Sequence, residues 1–420
     1  MADGDSSKAA LATDTSLKPM QVSHGGRIDD IEILRAFAIL FVLFEHVRIN
    51  LFPWGTPALN HLRAYFAFWS GVDLFFVISG FVIARSLLPK LEAADSTSAF
   101  LNATLVFWIR RAWRLIPSAW LWLLLILVAT VAFNRSGAFG TFAMNFRGAL
   151  AGMLDFANFR ILVNQQEHEW YGASFPYWSL SLEEQFYILL PLVVFLCRRR
   201  LPIVLALFTV GQIVFPRLHS FFVIIRCEGL LLGVLIAIWS RHRTYRLAEP
   251  TGLAYSRLAR GAVLFGILAC IAAMSQIDPP LIPLPLGVVA LLSAALVLIA
   301  SYDRDYLMRA GPLKSLLLWI GSRSYTLYLI HAPAYFLTRE IWLRIEPPGT
   351  RFEGNFTLRF VLTALPLLIV LTELNYRLVE TPLRRRGARI ADRVARGVPD
   401  LHRTPQQHEV ADSLAAPMMQ

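Results

Sequence analysis

The sequence predicts an all-α, polytopic membrane protein with about ten transmembrane helices and both termini in the cytoplasm. Hydrophobic residues make up 56% of the 420 residues and charged residues only 16%, whereas soluble domains are roughly 45–50% apolar. Apolar runs of roughly 18–25 residues recur along the chain, and each is long enough to cross a bilayer as a helix. Arginines cluster in short blocks between these runs, which is the pattern that sets membrane topology.

Polar segments flank the apolar runs at both ends of the sequence. Residues 1–26 and 388–420 are too polar to bury a core, so we expect disordered cytoplasmic tails on either side of a membrane domain at 27–387. The ten predicted spans lie at about 28–51, 68–88, 115–133, 177–197, 201–217, 220–239, 261–277, 284–301, 315–337 and 357–379.

The segment between the third and fourth spans decides the topology. Residues 146–163 are only weakly apolar, so we expect them to lie on the membrane surface. A span there would move the triple arginine at 198–200 to the outside, against the positive-inside rule. Without it, the main basic blocks face the cytoplasm. The weak point is the loop at 339–356, which holds Arg339, Arg344 and Arg351 on the predicted outer side. The net charge of +11 is therefore assigned to topology, and no nucleic-acid partner is expected.

The first span is apolar but carries several ionisable residues; those at 29–32 and Arg48 can lie in the interfaces, whereas Arg35 and His46 need another explanation. Eleven positions separate them, which corresponds to about 16 Å of helix rise and nearly the same helix face. Because charge near the bilayer centre costs roughly 2.5–3.5 kcal/mol or more, this face is expected to point into the protein. The alternative is that Arg35 snorkels to an interface and His46 is a packing residue.

Several spans carry polar residues that the predicted topology places near the outer ends of their helices. These residues are His46, Glu183, Glu184, Arg226, Glu228 and His331. Ionisable groups at this depth pair with one another or line a wet cavity. A structural ion-pair network is one interpretation. For His46 we favour catalysis, because histidine titrates near neutrality and can act as a general base for a hydroxyl.

The cytoplasmic ends carry a different chemistry. Arg110, Arg111 and Arg114, with Arg35 deeper in the membrane, form a cationic mouth suited to phosphate groups. The alternative is that these arginines only set topology and contact anionic lipids. In the second span, Gly80 would allow a close helix approach, and Ser79 could bond to backbone or to substrate.

The cysteines give no sign of a metal or disulfide framework. Cys197, Cys227 and Cys270 lie in or beside apolar runs and lack metal-ligand spacing, so we interpret them as packing residues. No metal and no bound cofactor are expected.

Seven motifs occur in a fixed order along the chain. They are Arg35-x10-His46, FFVISGF at 75–81, RRxxRLxP at 110–117, WSLSLEEQFY at 178–187, RCEGLLLG at 226–233, SYTLYLIHAP at 324–333 and ETPLRR at 380–385. With this ordered set the chain resembles the acyltransferase-3 family of integral membrane acyltransferases. One departure is the start of the first span, which reads RIDDIEILR where that family usually has an Ile-Asp-Gly-Leu-Arg type sequence.

The resemblance implies transfer of an acyl group, usually acetyl, from cytoplasmic acyl-CoA to a hydroxyl of a carbohydrate acceptor at the outer face of the inner membrane. Acceptors of this kind include lipopolysaccharide, exopolysaccharide and related glycans or glycolipids. The resemblance also implies the site residues. His46 and Arg35 become the leading catalytic residues, with Glu184 and His331 as further catalytic candidates, and Arg110, Arg114, Ser79 and Arg226 become candidates for substrate binding.

Two mechanisms and one rival function stay open at this stage. His46 could take a proton from the acceptor hydroxyl during direct transfer, or it could itself carry the acyl group in two steps. The rival is a transporter or flippase of a lipid-linked glycan, which would also hold polar residues in the membrane. Such proteins more often show related halves and interrupted spans, and the sequence shows neither.

Overall fold

The computed structural model describes residues 26–161, 172–214, 225–276 and 284–397. Within these ranges all regular secondary structure is helical, which confirms the all-α class. The predicted disordered tail at 1–26 lies almost entirely outside the described residues, as do residues 398–420. The proline turn predicted between the seventh and eighth spans, around Pro279 and Pro280, also lies outside them.

Fourteen α-helices are labelled here in chain order. They are α1 (Asp29–His46), α2 (Pro57–Arg63), α3 (Gly71–Glu92), α4 (Thr97–Ala132), α5 (Phe142–Met153), α6 (Tyr177–Cys197), α7 (Leu201–Val214), α8 (Glu228–Trp239), α9 (Arg257–Met274), α10 (Pro285–Ser301), α11 (Pro312–Ser322), α12 (Ser324–Ile345), α13 (Thr357–Asn375) and α14 (Thr381–Arg396). Wider π-helical turns follow α1 at Val47–Leu51 and α13 at Tyr376–Glu380.

Four helical segments of the described chain are long and apolar enough to cross a membrane. They are Gly71–Glu92, Thr97–Ala132, Arg257–Met274 and the continuous run Gly354–Arg396, while α8 and α10 are apolar but shorter. Helix α1 carries three acids in its first turn, which sets it apart from an ordinary lipid-facing span. The structure thus agrees with a helical membrane protein, and the ten-span count and the cytoplasmic termini stay predictions.

Helices α1 and α3 form the centre of the fold. Ile33, Leu34, Ala36, Ala38 and Ile39 of α1 are fully buried, and α1 packs against α3, α10, α11 and α12. The outer helices α4, α7 and α13 instead expose rows of leucine, valine and phenylalanine side chains, as expected for helices whose solvent is lipid. Arg35 and His46 therefore point into protein rather than into hydrocarbon.

Glycines allow α3 and α8 to pack backbone against backbone. A Cβ added to Gly80 would lie 2.0 Å from the carbonyl oxygen of Leu230, and one added to Gly233 would lie 2.2 Å from the carbonyl oxygen of Val77. Gly229 and Gly233 form a Gly-x-x-x-Gly pair on α8, a spacing that brings helices close together in membranes. The close approach expected at Gly80 is confirmed.

We expect Gly80→Ala to lower the thermal unfolding midpoint of the detergent-solubilised protein, because the new methyl group can be accommodated only if two backbones move apart. Overpacking of this kind costs about 1–3 kcal/mol. Gly211→Ala is the matched control, since a Cβ there would meet nothing within 4 Å and alanine favours a helix over glycine. An unchanged midpoint in Gly80→Ala would show that the α3–α8 contact is looser than described.

The predicted ninth span, 315–337, is wrong as one helix. The chain instead breaks at Arg323 between α11 and α12, and α12 continues to Ile345. At this break the Arg323 side chain pairs with Glu373, at 2.6 and 3.1 Å, and stacks on Trp319 and Tyr376. On the extended part of α12, Glu340 is fully buried and accepts hydrogen bonds from the backbone N–H groups of Arg135 and Ser136. Part of the predicted 339–356 loop is therefore a helix.

The predicted domain end near 387 is also too early. Helix α14 continues to Arg396 and packs along the N-terminal half of α4, which itself begins at Thr97 rather than near 115. Gly387 lies against Trp113, Ala391 is fully buried, and Arg110 forms an ion pair with Asp392 at 2.5 Å. The overall polarity of 388–420 concealed this amphipathic helix, because one apolar stripe suffices for packing.

Candidate active site

Two histidines from distant helices form a hydrogen-bonded pair. His46 ends α1 and His331 lies in α12, and the His46 Nδ1 atom is 3.2 Å from the His331 Nε2 atom. The two rings are stacked with centroids 5.0 Å apart, and Phe175 contacts both rings by its edge. Tyr335 fastens the two helices by donating a hydrogen bond to the Leu43 carbonyl at 3.1 Å. The sequence prediction that His46 and His331 share one region is thereby confirmed.

The hydrogen bonds around this pair determine where its protons lie. The His331 Nδ1 atom is 2.7 Å from the Tyr328 carbonyl oxygen, and a carbonyl can only accept, so Nδ1 must carry the proton. In a neutral ring His331 Nε2 is then an acceptor, and His46 Nδ1 donates to it. His46 is left with its lone pair on Nε2.

A cationic cavity lies among α1, α3, α4, α6 and α12. Its polar lining comprises Arg35, Ser79, Arg111, Arg114, Ser179, Glu183, Tyr187, Ser324, Tyr325 and Tyr328. Apolar side chains such as Phe75, Phe76 and Ile83 complete the wall. Its volume is about 70 Å³, room for only a few water molecules. A larger ligand would enter only after these side chains move apart.

The arginines that line this cavity differ in whether an acidic side chain pairs with them. Arg35 is paired with Glu32 at 2.8 Å, whereas Arg111 and Arg114 have no acidic partner within ion-pair distance among the described residues. Arg111 instead stacks on the rings of Phe107 and Tyr187. The guanidinium groups of Arg111 and Arg114 thus keep donors available for an anion such as a phosphate.

Glu183 is the one acid that lines this cavity in the described part of the chain. It accepts hydrogen bonds from the hydroxyl groups of Ser79 and Tyr187. Those bonds hold its carboxylate among the arginines without a direct ion pair. Ser79, a candidate for substrate binding, therefore lies in the cavity, and its hydroxyl is already engaged by Glu183.

Tyr328 joins the cavity to the histidine pair. Its ring lines the cavity, while its backbone carbonyl accepts the His331 hydrogen bond. Its hydroxyl lies 2.7 Å from Ser179 Oγ and donates to the Pro176 carbonyl at 2.9 Å. The arginines and the histidines are therefore two ends of one region, separated by a single layer of side chains.

The structure places two predicted arginines away from this region. Arg110 does not line the cavity, and its partner is Asp392. At about 100° per residue, Arg111, Arg114 and Leu115 share one sector of α4, and Arg110 lies about 90° from its centre. Arg226 forms a buried ion pair with Asp73 at 2.8 Å and lies between the rings of Trp69 and Trp178, which fastens the start of α8 to α3.

The predicted common site of Glu183, Glu184 and the histidines is likewise divided. Glu184 shares a hydrogen bond with Asp155, beyond α5, rather than with His46. Successive helical residues point about 100° apart, so Glu183 and Glu184 face different neighbours. Of the two, the catalytic candidate named from the motif is Glu184, whereas Glu183 is the acid that lines the cavity. Adjacent acids on one helix give no signal for choosing between them.

Among the described residues, no group of three or more histidine, cysteine, aspartate or glutamate side chains lies close enough together to hold a metal ion.

Comparison with known proteins places this geometry in context. Residues 28–372 match the family model Acyl_transf_3, described as an acyltransferase domain. The chain is 27% identical over 395 residues to YrhL of Bacillus subtilis (strain 168), and 28% identical over 382 residues to the peptidoglycan O-acetyltransferase OatA of Listeria monocytogenes. The O-acetyltransferase OatA of Staphylococcus aureus is 26% identical over 376 residues.

These alignments cover most of this chain and part of each relative. They include 88%, 86% and 84% of this chain, in the same order, but only 57%, 56% and 57% of the relatives. The chain thus spans little more than half the length of the curated relatives it matches. No solved structure matches it.

Proposed function

This chain belongs to the acyltransferase-3 family, and from that premise we propose that it is a membrane-bound O-acyltransferase of the bacterial inner membrane. It takes an acyl group, in our proposal acetyl, from cytoplasmic acyl-CoA and transfers it to a hydroxyl of a carbohydrate acceptor at the outer face. The observation that supports this best is the His46–His331 pair, joined through Tyr328 to a cavity whose Arg111 and Arg114 have no acidic partner among the described residues. The cavity suits the phosphates of a donor, and the histidine pair suits an acyl transfer.

In direct transfer, the acceptor oxygen attacks the thioester carbonyl carbon while His46 Nε2 takes the hydroxyl proton. The carbon–sulfur bond then breaks, and the thiolate recovers that proton from His46. The His46 ring becomes positively charged when it takes the hydroxyl proton. This charge strengthens the hydrogen bond that its Nδ1–H donates to His331. His331 is therefore a positioning residue that fixes the tautomer and orientation of His46.

In the two-step alternative, the same His46 Nε2 atom attacks the thioester and becomes acylated, and the thiolate leaves. The acceptor hydroxyl then attacks the acyl carbon, the carbon–nitrogen bond breaks, and the hydroxyl proton passes to the released His46 ring and from it to the thiolate. Both routes need a lone pair on Nε2 and a proton on Nδ1, and the hydrogen bond to His331 favours that tautomer. The proposal leaves both routes open.

The donor would reach His46 from the arginine end of the cavity. Arg111 and Arg114 would bind phosphate oxygens of CoA through their N–H groups, and Arg35 lies deeper in the same wall. About 16 Å of helix rise separates Arg35 from His46, a distance that a long, flexible thioester arm can cover. Tyr328 and Ser179 lie on that path and would have to move to let the thioester pass.

The acceptor is proposed from the relatives. OatA of Listeria monocytogenes is named as a peptidoglycan O-acetyltransferase, so a sugar hydroxyl of peptidoglycan is the first acceptor to test. Lipopolysaccharide and exopolysaccharide units present the same chemistry and are the next candidates. The rival function, a transporter or flippase of a lipid-linked glycan, would need no acyl donor.

Label transfer tests the proposal directly. Membranes that contain the protein should move radiolabelled acetyl from acetyl-CoA into the glycan fraction, and membranes with an equal amount of the His46→Ala variant should not. Retention of the label in acetyl-CoA by the wild-type protein, with peptidoglycan, lipopolysaccharide and exopolysaccharide each supplied, would contradict acyl transfer. Movement of an unmodified lipid-linked glycan across the membrane would support the rival.

A further inference from the structure

A second concave surface lies far from the histidine pair, between α7 and α8. Its floor is aliphatic, and its volume is about 770 Å³. The residues that line it are Glu92, Pro202, Ile203, Ala206, Leu232, Leu235, Ile236, Ile238, Trp239, Arg241 and His242. We refer to this surface as the α7–α8 groove. The proposed reaction does not use it.

The groove is apolar along the helices and cationic at one end. Arg241 and His242 follow α8 directly, and both are exposed. The exposed arginines Arg198, Arg199 and Arg200 directly precede α7, whose Pro202 lines the groove. The end of α8 lies beside the start of α7, because Trp239 and Pro202 both line the groove. The cations that follow α8 and precede α7 therefore lie at the same end of the groove.

Little negative charge offsets this cationic end. Glu92 pairs with Arg241, with one N–O distance of 2.9 Å. Arg199 and Arg200 have no acidic partner among the described residues, and Arg198 stacks on Phe195. Trp239 stands at the same end, with its indole N–H bonded to Thr244 at 3.0 Å. Tryptophan and arginine together are typical of the level where lipid headgroups lie.

We infer that the α7–α8 groove binds one anionic phospholipid, with its phosphate at the cationic end and an acyl chain along the aliphatic floor. Basic pockets between transmembrane helices on the cytoplasmic side are suited to such headgroups. Arginine binds phosphate oxygens through paired N–H donors. A second copy of the chain fits less well, because a symmetric contact would bring the two cationic ends together.

Native mass spectrometry of the detergent-purified full chain tests this inference. The probes are phosphatidylglycerol and phosphatidylethanolamine with identical acyl chains, titrated separately. We expect the first phosphatidylglycerol to bind about 25-fold more tightly than phosphatidylethanolamine, because Arg199 and Arg200 near an anionic headgroup would each contribute about fivefold. Equal binding of the two lipids by the wild-type protein would overturn the inference.

Two pairs of variants locate the site. Arg199→Gln/Arg200→Gln should abolish most of the preference for phosphatidylglycerol, whereas Arg385→Gln/Arg389→Gln on α14 removes the same charge elsewhere and should keep it. Ala206→Trp should fill the floor and weaken binding of the acyl chain, and Leu207→Trp, exposed on the same helix, should not. If both arginine double variants lost the preference for phosphatidylglycerol to the same extent, the assignment to this groove would be overturned.

The remaining outcomes are also decisive. If Ala206→Trp leaves lipid binding unchanged but converts a dimer to a monomer, a second copy occupies the groove and the inference fails. Should Ala206→Trp aggregate, the comparison of the two arginine double variants decides the question. Arg199 and Arg200 are exposed, so their replacement leaves the core intact. None of these measurements uses acyl transfer, so the result is independent of the proposed function.

Discussion

His46→Ala should reduce acyl transfer by about 10²–10⁴-fold, the usual effect of removing one general base, while the protein still inserts and folds. The physical reason is that His46 Nε2 holds the only lone pair that the His46–His331 pair presents to a reactant. A nucleophile in a two-step transfer would cost more when removed. The measurement is the rate of label transfer per amount of folded protein, with the thermal unfolding midpoint recorded beside it.

His46→Gln separates chemistry from packing. Glutamine can keep a hydrogen bond toward His331, but it can neither take a proton nor carry an acyl group, so we expect no rescue of activity. If His46 were only a packing residue, His46→Gln would work at nearly the wild-type rate and His46→Ala would chiefly lower stability. That pattern would move the search for the catalytic base to His331.

The second large effect is expected from Arg111→Gln/Arg114→Gln. Both guanidinium groups line the cavity without an acidic partner among the described residues, so their donors are available to the donor phosphates. Charge-assisted hydrogen bonds contribute about 1.5–3 kcal/mol each, and two of them correspond to a loss of roughly 10²-fold or more in kcat/KM for acyl-CoA. Most of the loss should appear as a raised KM, because binding of the donor is what changes.

Arg110→Gln is the matched control on the same helix. Its ion pair with Asp392 is about half exposed on both sides, and exposed pairs contribute roughly 0–1 kcal/mol. We therefore expect its KM for acyl-CoA to stay within about threefold of wild type. A larger effect for Arg110→Gln than for the double variant would reverse our assignment of the donor site.

Several features of this protein could be predicted from its sequence alone. The all-α class follows from long apolar runs, because a backbone in hydrocarbon must satisfy its own hydrogen bonds. The inward orientation of Arg35 and His46 follows from the cost of exposing charge to lipid. The meeting of His46 and His331 was also within reach, since alternating helix directions assign each residue a depth. All three inferences depend on composition and on position along a helix.

Other features were decided only by tertiary structure. Depth along a helix does not specify the direction around it. The motifs indicated Arg110 beside Arg114 as a binding candidate, but Arg111 is the second arginine of α4 that lines the cavity. They likewise indicated Glu184, but Glu183 lines the cavity. At the break in the predicted ninth span, Arg323 pairs with Glu373, fifty positions away. The order of α14 depends on the surface of α4 that it covers. In each case the deciding contact comes from a distant part of the chain, and a local pattern carries no information about a partner that folding alone brings into place.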